Sequence, residues 1–337
     1  MTVTIKEIAK LAAVSPGTVS RILNSDPTLS VTESTRKRVK QIAGKLNYEN
    51  NREQRRKSVA TIAVVTSMSE QREVDDPYWR SVHQGIKQAA KQSRVTIAGI
   101  FRLTDGLKDI DLSQYSAVIV TGDLSVSAIR QIKKINPNLV LVDSRDRLAD
   151  IDSVNPDLAE MTERILNEFK QSGRQHIAFI GGINERIDLD GQIKNRSKDP
   201  RTIAYEKWMS QQQLESNEIL GGWSSAAGVD AVKALLQQNK PCDALLIASD
   251  VIAIGAIKAL QESGLIIGTD LVLASFDDLD TAAYLSPSLT SVNLPQHALG
   301  ASAVSQASEL AQSSRTWTKW VTIPSRLIYR DSFQKNE

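Results

Sequence analysis

The spacing of apolar residues along this chain changes near residue 60. Before it, Ile5, Ile8, Ala9 and Ala12 recur at helical spacing behind Thr4, a residue suited to cap a helix start. Ser15 and then Pro16 open a second helix with an apolar face of Val19, Ile22 and Leu23, and Asn24, Ser25, Asp26 and Pro27 end it. A third helix opens near Thr32 and presents Val39, Ile42, Ala43 and Leu46. Three short helices with a tight link between the first two predict a helix-turn-helix unit.

From Ser58 onward the pattern is different. Apolar runs alternate with amphipathic segments: TIAVVT (61–66), a helix from Tyr78 to Lys91, then VTIAGIF, AVIVTG and NLVLVDS. After Pro156 the series restarts with a helix to Phe169, HIAFIGG, a helix from Arg201, ALLIASD, a helix through Leu260, and LVLASFDD. Strand-helix alternation predicts an α/β body of parallel sheets wrapped by helices, and two such series predict two similar lobes.

Charge sharpens the division. The chain holds 41 Lys/Arg and 39 Asp/Glu, but residues 1–58 hold 12 basic against 5 acidic residues, so the remainder is acidic. A basic head on an acidic body fits a polyanion-binding module joined to something else. A single cysteine, Cys242, forbids an internal disulfide and fits a reducing cytoplasm. The three histidines, His83, His176 and His297, are widely spaced, so neither a metal site nor another cofactor is expected. No secretory leader pattern follows Met1 and no stretch approaches the length of a membrane span, so the expected location is cytoplasmic.

The chemistry of each part follows from its residues. Pro16 and Gly17 form the first turn of the second helix, and their small profile lets its N–H groups approach a phosphate. Base reading then falls to Arg21, whose guanidinium can pair bidentately with guanine, with Thr18 and Ser20 in reach of phosphate or a base edge. Ser15 is a cap with a phosphate contact as its second use; the alternative for Arg21 is a surface salt bridge. In the body, ligands of parallel sheets bind beyond the carboxyl ends of strands. Those ends carry Ser67, Met68, Thr121, Gly122, Asp143, Gly181, Gly182, Ser249, Asp250, Asp277 and Asp278. Facing loops from two lobes make a polar cleft, the geometry of a sugar-binding clamshell. GGINERIDLDG lacks the Gly-Lys-Ser/Thr ending of a phosphate loop. No histidine or serine stands ready to partner Asp277 or Asp278 in catalysis, so no enzyme is expected.

These residues carry a resemblance. The N-terminal T-IKEIAKLAAVSPGTVSRILN, followed by TRKRVKQIAGKLNY, resembles the lactose-repressor (LacI/GalR) family of bacterial transcription regulators. DDPYW, GGWSS, ASDVIAIG and SPSLTSV resemble its galactoside-responsive branch. The resemblance implies a periplasmic-binding-protein-like core. The expected divisions are a DNA-binding head over 1–48, a hinge over 49–60 and an effector-binding and dimerisation body over 61–337. One lobe takes about 61–155 with 294–318, the other 156–293 with 319–332. DNA contact is expected from Thr4, Ser15, Pro16, Gly17, Thr18, Ser20, Arg21, Asn24, Arg52 and Arg55. Effector contact is expected from Ser67, Asp76, Tyr78, Asp143, Arg201, Trp223, Asp250 and Asp277. For Asp277 and Asp278 the alternative is capping of the next turn, and for Trp223 core packing.

The hinge departs from the family. A leucine that wedges into the minor groove is expected there, yet no leucine lies between Leu46 and Ile62; Arg52, Arg55, Arg56 and Lys57 stand in the segment instead. Either the hinge binds by charge alone, or Val59 replaces the leucine weakly. Less operator bending and stronger salt dependence follow. Residues 187–199 are polar, and a surface loop near the cleft is expected.

The implied activity is repression of a carbohydrate-utilisation operon by a homodimer on a pseudo-palindromic operator, controlled by a sugar, with no membrane partner. Dimer contacts are expected along Trp79 to Ala90 and Val251 to Leu260, faces that serve equally as core. Two other readings stand beside it: the same scaffold answering to a purine, stacked on Tyr78 and Trp79, or to a phosphoprotein corepressor; and a sugar carrier with no role at DNA.

Overall fold

The head takes its shape from its caps. In the computed structural model of the chain, α1 (Ile5–Ala12) starts at Thr4. The Thr4 hydroxyl accepts the Glu7 N–H at 3.3 Å, while the Glu7 carboxylate accepts the Thr4 N–H at 2.7 Å. This reciprocal box satisfies two otherwise orphaned donors. Ala13, at φ 50°, turns the chain into α2 (Pro16–Leu23), where Ser15 Oγ accepts the Thr18 N–H at 3.1 Å. Thr32 caps α3 (Glu33–Lys45) in the same manner. Ile8, Ala9, Ala12, Val19, Ile22, Val39 and Ala43 close one small core. With so few side chains, truncating Ile8 or Ile22 to alanine removes about 2–5 kcal/mol and unfolds the head.

The described residues are 4–23, 26, 29–46, 48, 60–93, 95–107, 110–238, 240–312 and 315–335. They belong to two compact units, Met1–Val59 and Ala60–Glu337. Asn24, Arg52, Arg55 and the hinge from 49 to 59 lie outside the described residues.

In the body, the runs read as strands form two six-stranded sheets. The first has the order β13 (Trp320–Ile323), β5 (Asp152–Pro156), β4 (Leu139–Val142), β3 (Ala117–Thr121), β1 (Thr61–Thr66) and β2 (Thr96–Arg102), all parallel. Central strands such as TIAVVT are apolar on both faces because helices cover both. Ile62 and Val64 of β1 meet α5 (Pro77–Ser93) and α11 (Gln296–Gln312). Ala63 and Val65 belong to the opposite layer with α6 (Val126–Ile135). The second sheet has the order β14 (Arg326–Ile328), β12 (Thr290–Asn293), β11 (Val272–Phe276), β10 (Ala244–Ile247), β6 (Ile177–Gly182) and β9 (Glu218–Gly221). Only β14 runs antiparallel to its neighbour. One layer holds α7 (Leu158–Gln171) and α8 (Pro200–Gln211), the other α9 (Ser225–Gln237) and α10 (Asp250–Glu262). The short α4 (Glu70–Asp75) precedes α5. The last two helices of the second lobe cross at glycines: a Cβ on Gly255 would lie 1.7 Å from Ser225 O, and one on Gly228 2.0 Å from Ile252 O.

The chain passes between the lobes three times, after β5, after β12 and after β13, and each passage carries a proline: Pro156, Pro295 and Pro324.

Two expectations need correction. Residues 319–332 were expected wholly in the second lobe, but Trp320–Ile323 pairs with β5 in the first sheet, and only the following strand joins the second. On the two helices where a dimer contact was expected, Trp79, Val82, Ile86, Ala90, Val251, Ile252, Ala256 and Leu260 are buried and serve as core, while Arg80, Gln84, Lys87 and Lys258 of the same helices are exposed. Residues 187–199 are no irregular loop. β7 (Asn184–Ile187) and β8 (Ile193–Ser197) form an antiparallel hairpin that crosses to the first lobe. There the Ile187 N–H donates to Asp123 O at 2.9 Å, and Ile187 O accepts the Ser125 N–H at 2.9 Å.

Candidate functional site

The first candidate surface is the start of α2. Ser15, Pro16 and Gly17 are exposed, Thr18 and Ser20 half-buried, and Arg21 exposed, with Thr4 exposed at the start of α1. Nothing in the head requires glycine at position 17, since a Cβ there would meet only Ser15 Oγ at 3.8 Å. Arg21 makes the salt bridge weighed as its alternative role, Nε to Asp26 Oδ2 at 2.8 Å, with its side chain still 47% exposed. An ion pair this exposed contributes about 0–1 kcal/mol and yields readily to a stronger anion. Arg36, Lys37, Arg38, Lys40 and Lys45 of α3 add to the basic character of the same unit.

The second lies where the two sheets present their carboxyl ends. Arg201, in the first turn of α8, is 6% exposed. Its Nε and Nη2 donate to the two oxygens of Asp199 at 2.6 and 3.0 Å, and its Nη1 donates to Ala248 O at 2.7 Å. Its guanidinium lies 5.2 Å from the Trp223 ring centre and 5.3 Å from that of Phe276. The Trp223 ring covers Gly182, where a Cβ would sit 2.2 Å away, and its Nε1 donates to Ile183 O at 3.2 Å. Trp223 is thus a partly buried wall beside Arg201 and not core alone. From the first lobe, the Tyr78 hydroxyl donates to Asp143 Oδ2 at 2.9 Å, and the Tyr78 N–H to Asp76 Oδ1 at 3.1 Å. Ser67 is buried, and its Oγ has no hydrogen-bond partner among the described residues.

Two of these carboxylates stand on unusual backbone. Asp143 has φ 51° and Asp277 φ 107°, the left-handed side that side chains avoid. Such strain persists where the surroundings over-determine it, commonly at binding sites. Burial raises the carboxyl of Asp277 well above its ordinary range; the charges of Asp76 and Asp250 push the same way, against Arg201. Burial likewise raises Asp143, opposed by Arg145 and Arg201, and raises Asp76. Asp199 behaves in the opposite sense. Burial alone would raise it, yet the charges of Arg201 and Arg145 hold it below the usual carboxylate range.

The structure therefore brings together Asp76, Tyr78 and Asp143 from one lobe with Arg201, Trp223 and Asp277 from the other. Asp250 stands directly behind Asp277, its charge raising that carboxyl and its backbone bonding to it, with its own side chain turned to the sheet. Asp250 is wholly buried and accepts from Ser275 Oγ, from Ser291 Oγ at 2.7 Å and from the Leu279 N–H at 2.8 Å. Its oxygens tie the ends of β11 and β12 together. Asp278 pairs with Arg330 at 2.6 Å and accepts from Asn293 Nδ2 at 2.9 Å, so the expected capping alternative is not its role. Tyr78 and Trp79, the rings on which a purine was expected to stack, are 6% and 8% exposed and meet edge to face.

Sequence reading missed Asp199, Arg145, Asp123, Asn184 and Gln296, whose Nε2 donates to Asp277 O at 3.0 Å. Asp199 was visible only as a helix cap, the residue before Pro200. Arg145, two residues beyond Asp143, carried no signal of its own.

A basic three-helix head and a periplasmic-binding-like body define a helix-turn-helix, DNA-binding transcription regulator. The profile described as bacterial regulatory proteins, lacI family, matches residues 4–51, and that described as periplasmic binding protein-like domain matches residues 166–333. The HTH-type transcriptional repressor MelR of Bacillus subtilis (strain 168) is 31% identical over 338 residues, 98% of this chain and 97% of that protein. The chain belongs to the lacI family. Among solved structures, the Lac repressor dimer bound to operator and the anti-inducer ONPF is similar with a TM-score of 0.69 at 22% identity, covering 98% of this chain and 99% of that one. The CelR–cellobiose complex gives 0.68 at 21%, covering 98% and 99%. No helix among the described residues is long and apolar enough to cross a membrane.

Proposed function

We propose that this chain is a homodimeric repressor of a carbohydrate-utilisation operon, released from its operator when an uncharged sugar, a galactoside by preference, binds between the lobes. The observation that carries the reading is the balance of charge around Arg201. Asp123 and Asp199 are matched by Arg145 and Arg201, which leaves Asp76, Asp143 and Asp277 without a cation of their own among the described residues. Carboxyl groups exchange hydrogen bonds with a ligand rich in hydroxyls, and the pairing of Arg145 and Arg201 with Asp123 and Asp199 leaves neither guanidinium uncompensated for a phosphate or uronate. A guanidinium has five N–H donors, and three make the bonds described, so two remain to grip a hydroxyl. Trp223 offers a ring face, and Ser67 Oγ a further polar group. With Arg201 and Asp277 this buried, the lobes part for the sugar to enter.

At DNA, α2 enters the major groove with Ser15 to Gly17 on phosphate and Thr18, Ser20 and Arg21 toward base edges. Thr4 serves the backbone, as do Asn24, Arg52 and Arg55. Two heads read a pseudo-palindrome, in keeping with the dimeric state of the Lac repressor structure. By linkage, operator weakens sugar binding by the factor that sugar weakens operator binding.

A thermal-shift series with galactose, lactose, melibiose, cellobiose, glucuronate and adenine tests the ligand class. A sugar at 100 times its Kd stabilises by about 2.7 kcal/mol, and Arg201→Ala abolishes the shift. Stabilisation by adenine or glucuronate alone, or an undiminished sugar shift in the variant, overturns the reading.

A further inference from the structure

One buried carboxylate joins the lobes beside the ligand-gripping arginine. Asp199 directly follows the hairpin β7–β8 and is wholly buried. It accepts from Arg201 at three points, the Nε, the Nη2 and the backbone N–H, from Asn184 Nδ2 at 3.2 Å, and from Arg145 Nη1. Arg145 comes from the other lobe, on the loop after β4, and its Nε donates to Asp123 Oδ1 at 2.7 Å. Its side chain is 11% exposed, and both of its carboxylate partners keep it charged against the pull of burial.

The hairpin holds this contact in place. Besides the backbone bonds of Ile187 to Asp123 and Ser125, the Ile187 side chain is 7% exposed within the first lobe's apolar layer. Arg186 reaches Asp146 at 2.5 and 3.3 Å, and Arg72 reaches Glu185 at 3.3 Å. Asp199 therefore has two guanidinium partners, one from each lobe. If the first lobe withdraws, Asp199 Oδ2 keeps Arg201 Nη2 and Asn184 Nδ2 but loses Arg145 Nη1, so the set of charge-assisted bonds that fixes the carboxylate's orientation changes. Arg201, bonded to both oxygens, moves with it.

We propose that Arg145 is a positioning residue for the effector site: by reaching across to Asp199 it sets the orientation of Arg201, so the grip on the ligand is complete only when the lobes are docked. The proposal rests on the cleft being the effector site. Arg145 touches no ligand in this role; it acts through Asp199.

The test uses the full chain as wild type, Arg145→Met and Arg145→Lys, with lactose as the probe. Calorimetric titration of Arg145→Met shows lactose affinity reduced at least tenfold, about 1.4 kcal/mol, and Arg145→Lys recovers a substantial part of that loss. Hydrogen exchange of Arg145→Met shows faster exchange at the amides of 201–204, whose first turn Asp199 caps, with α10 of the same lobe unchanged. The proposal is overturned by wild-type protection at 201–204, by an equal loss of protection in α10, or by a lysine variant no better than the methionine one. Should the wild type ignore lactose, that result speaks against the ligand class, and the exchange comparison decides the role of Arg145 by itself.

Discussion

Gly17→Ala separates what the first turn of α2 does for the fold from what it does at DNA. The new Cβ would meet only Ser15 Oγ, at 3.8 Å, an ordinary approach. Alanine is more favourable than glycine by about 0.8–1.0 kcal/mol in a helix interior, and a first-turn position realises part of that. The head therefore gains up to about 1 kcal/mol, and its melting rises by several degrees, at roughly 4–8 °C per kcal/mol for a small domain. Gly44→Ala is the control. It sits in the last turn of α3 with nothing within 4 Å of its Cβ, so the same sign of stability change is expected. At DNA the two diverge. Gly17 is exposed, and if, as proposed, the N–H groups of α2 meet a phosphate there, a methyl group would hold the backbone away. Affinity falls about tenfold, or 1.4 kcal/mol, for Gly17→Ala and stays level for Gly44→Ala. Calorimetry of the full chain follows the head's transition. Fluorescence anisotropy at fixed salt follows binding to a duplex enriched by the wild type from a random pool. The reasoning fails if Gly17→Ala binds like the wild type, if it lowers the head's melting temperature, or if Gly44→Ala loses as much affinity.

Asp277 gives a pH prediction. Its raised carboxyl keeps a proton in the folded chain that the unfolded chain has released, so its contribution to stability falls as pH rises from the ordinary carboxylate range through the raised value. Asp277→Asn removes that slope and is the more stable protein at neutral pH; identical urea midpoints for both chains from pH 4 to 8 would refute this. Gly255→Ala drives a Cβ against Ser225 O, and overpacking of about 1–3 kcal/mol or more outweighs the gain in helix propensity. Its urea midpoint falls, and an unchanged midpoint would show that α9 and α10 separate freely. Replacing Arg52, Arg55 and Arg56 by Gln lowers the slope of log affinity against log salt by about 0.9 for each phosphate no longer neutralised; an unaltered slope would remove the hinge from the DNA interface.

The body's class was legible because its central strands are written without interruption: TIAVVT, AVIVTG and ALLIASD have few other uses in a chain of this length. The head was legible from its caps, since Thr4, Ser15 and Thr32 each stand where a helix begins. Less was legible where a segment depends on a distant partner. NERI and IKNRS carry charge on nearly every other residue and read as loop; they form strands because they pair with each other and because Ile187 finds an apolar layer in the other lobe. Trp320–Ile323 was placed in the wrong lobe because nothing in WVTI says which sheet edge it will join. In the site, Ser67, Asp143 and Asp277 were named from strand ends and Asp76, Tyr78, Arg201 and Trp223 from the family resemblance, whereas Arg145 and Asp199 were missed because each is tied to the other across the lobes. Asp250 looked like Asp277 in sequence; three donors behind the sheet end distinguish them.

The prolines at the three passages between the lobes bear on how the body can swing. Along each crossing one torsion is locked near −65°, at Pro156 where β5 ends, at Pro295 and at Pro324. Rotation is left to the bonds flanking each ring, and three ribbons side by side can share those bonds only about a common axis. If the proposed effector closes the body, it does so as a door on stiffened leaves, with a swing of fixed direction.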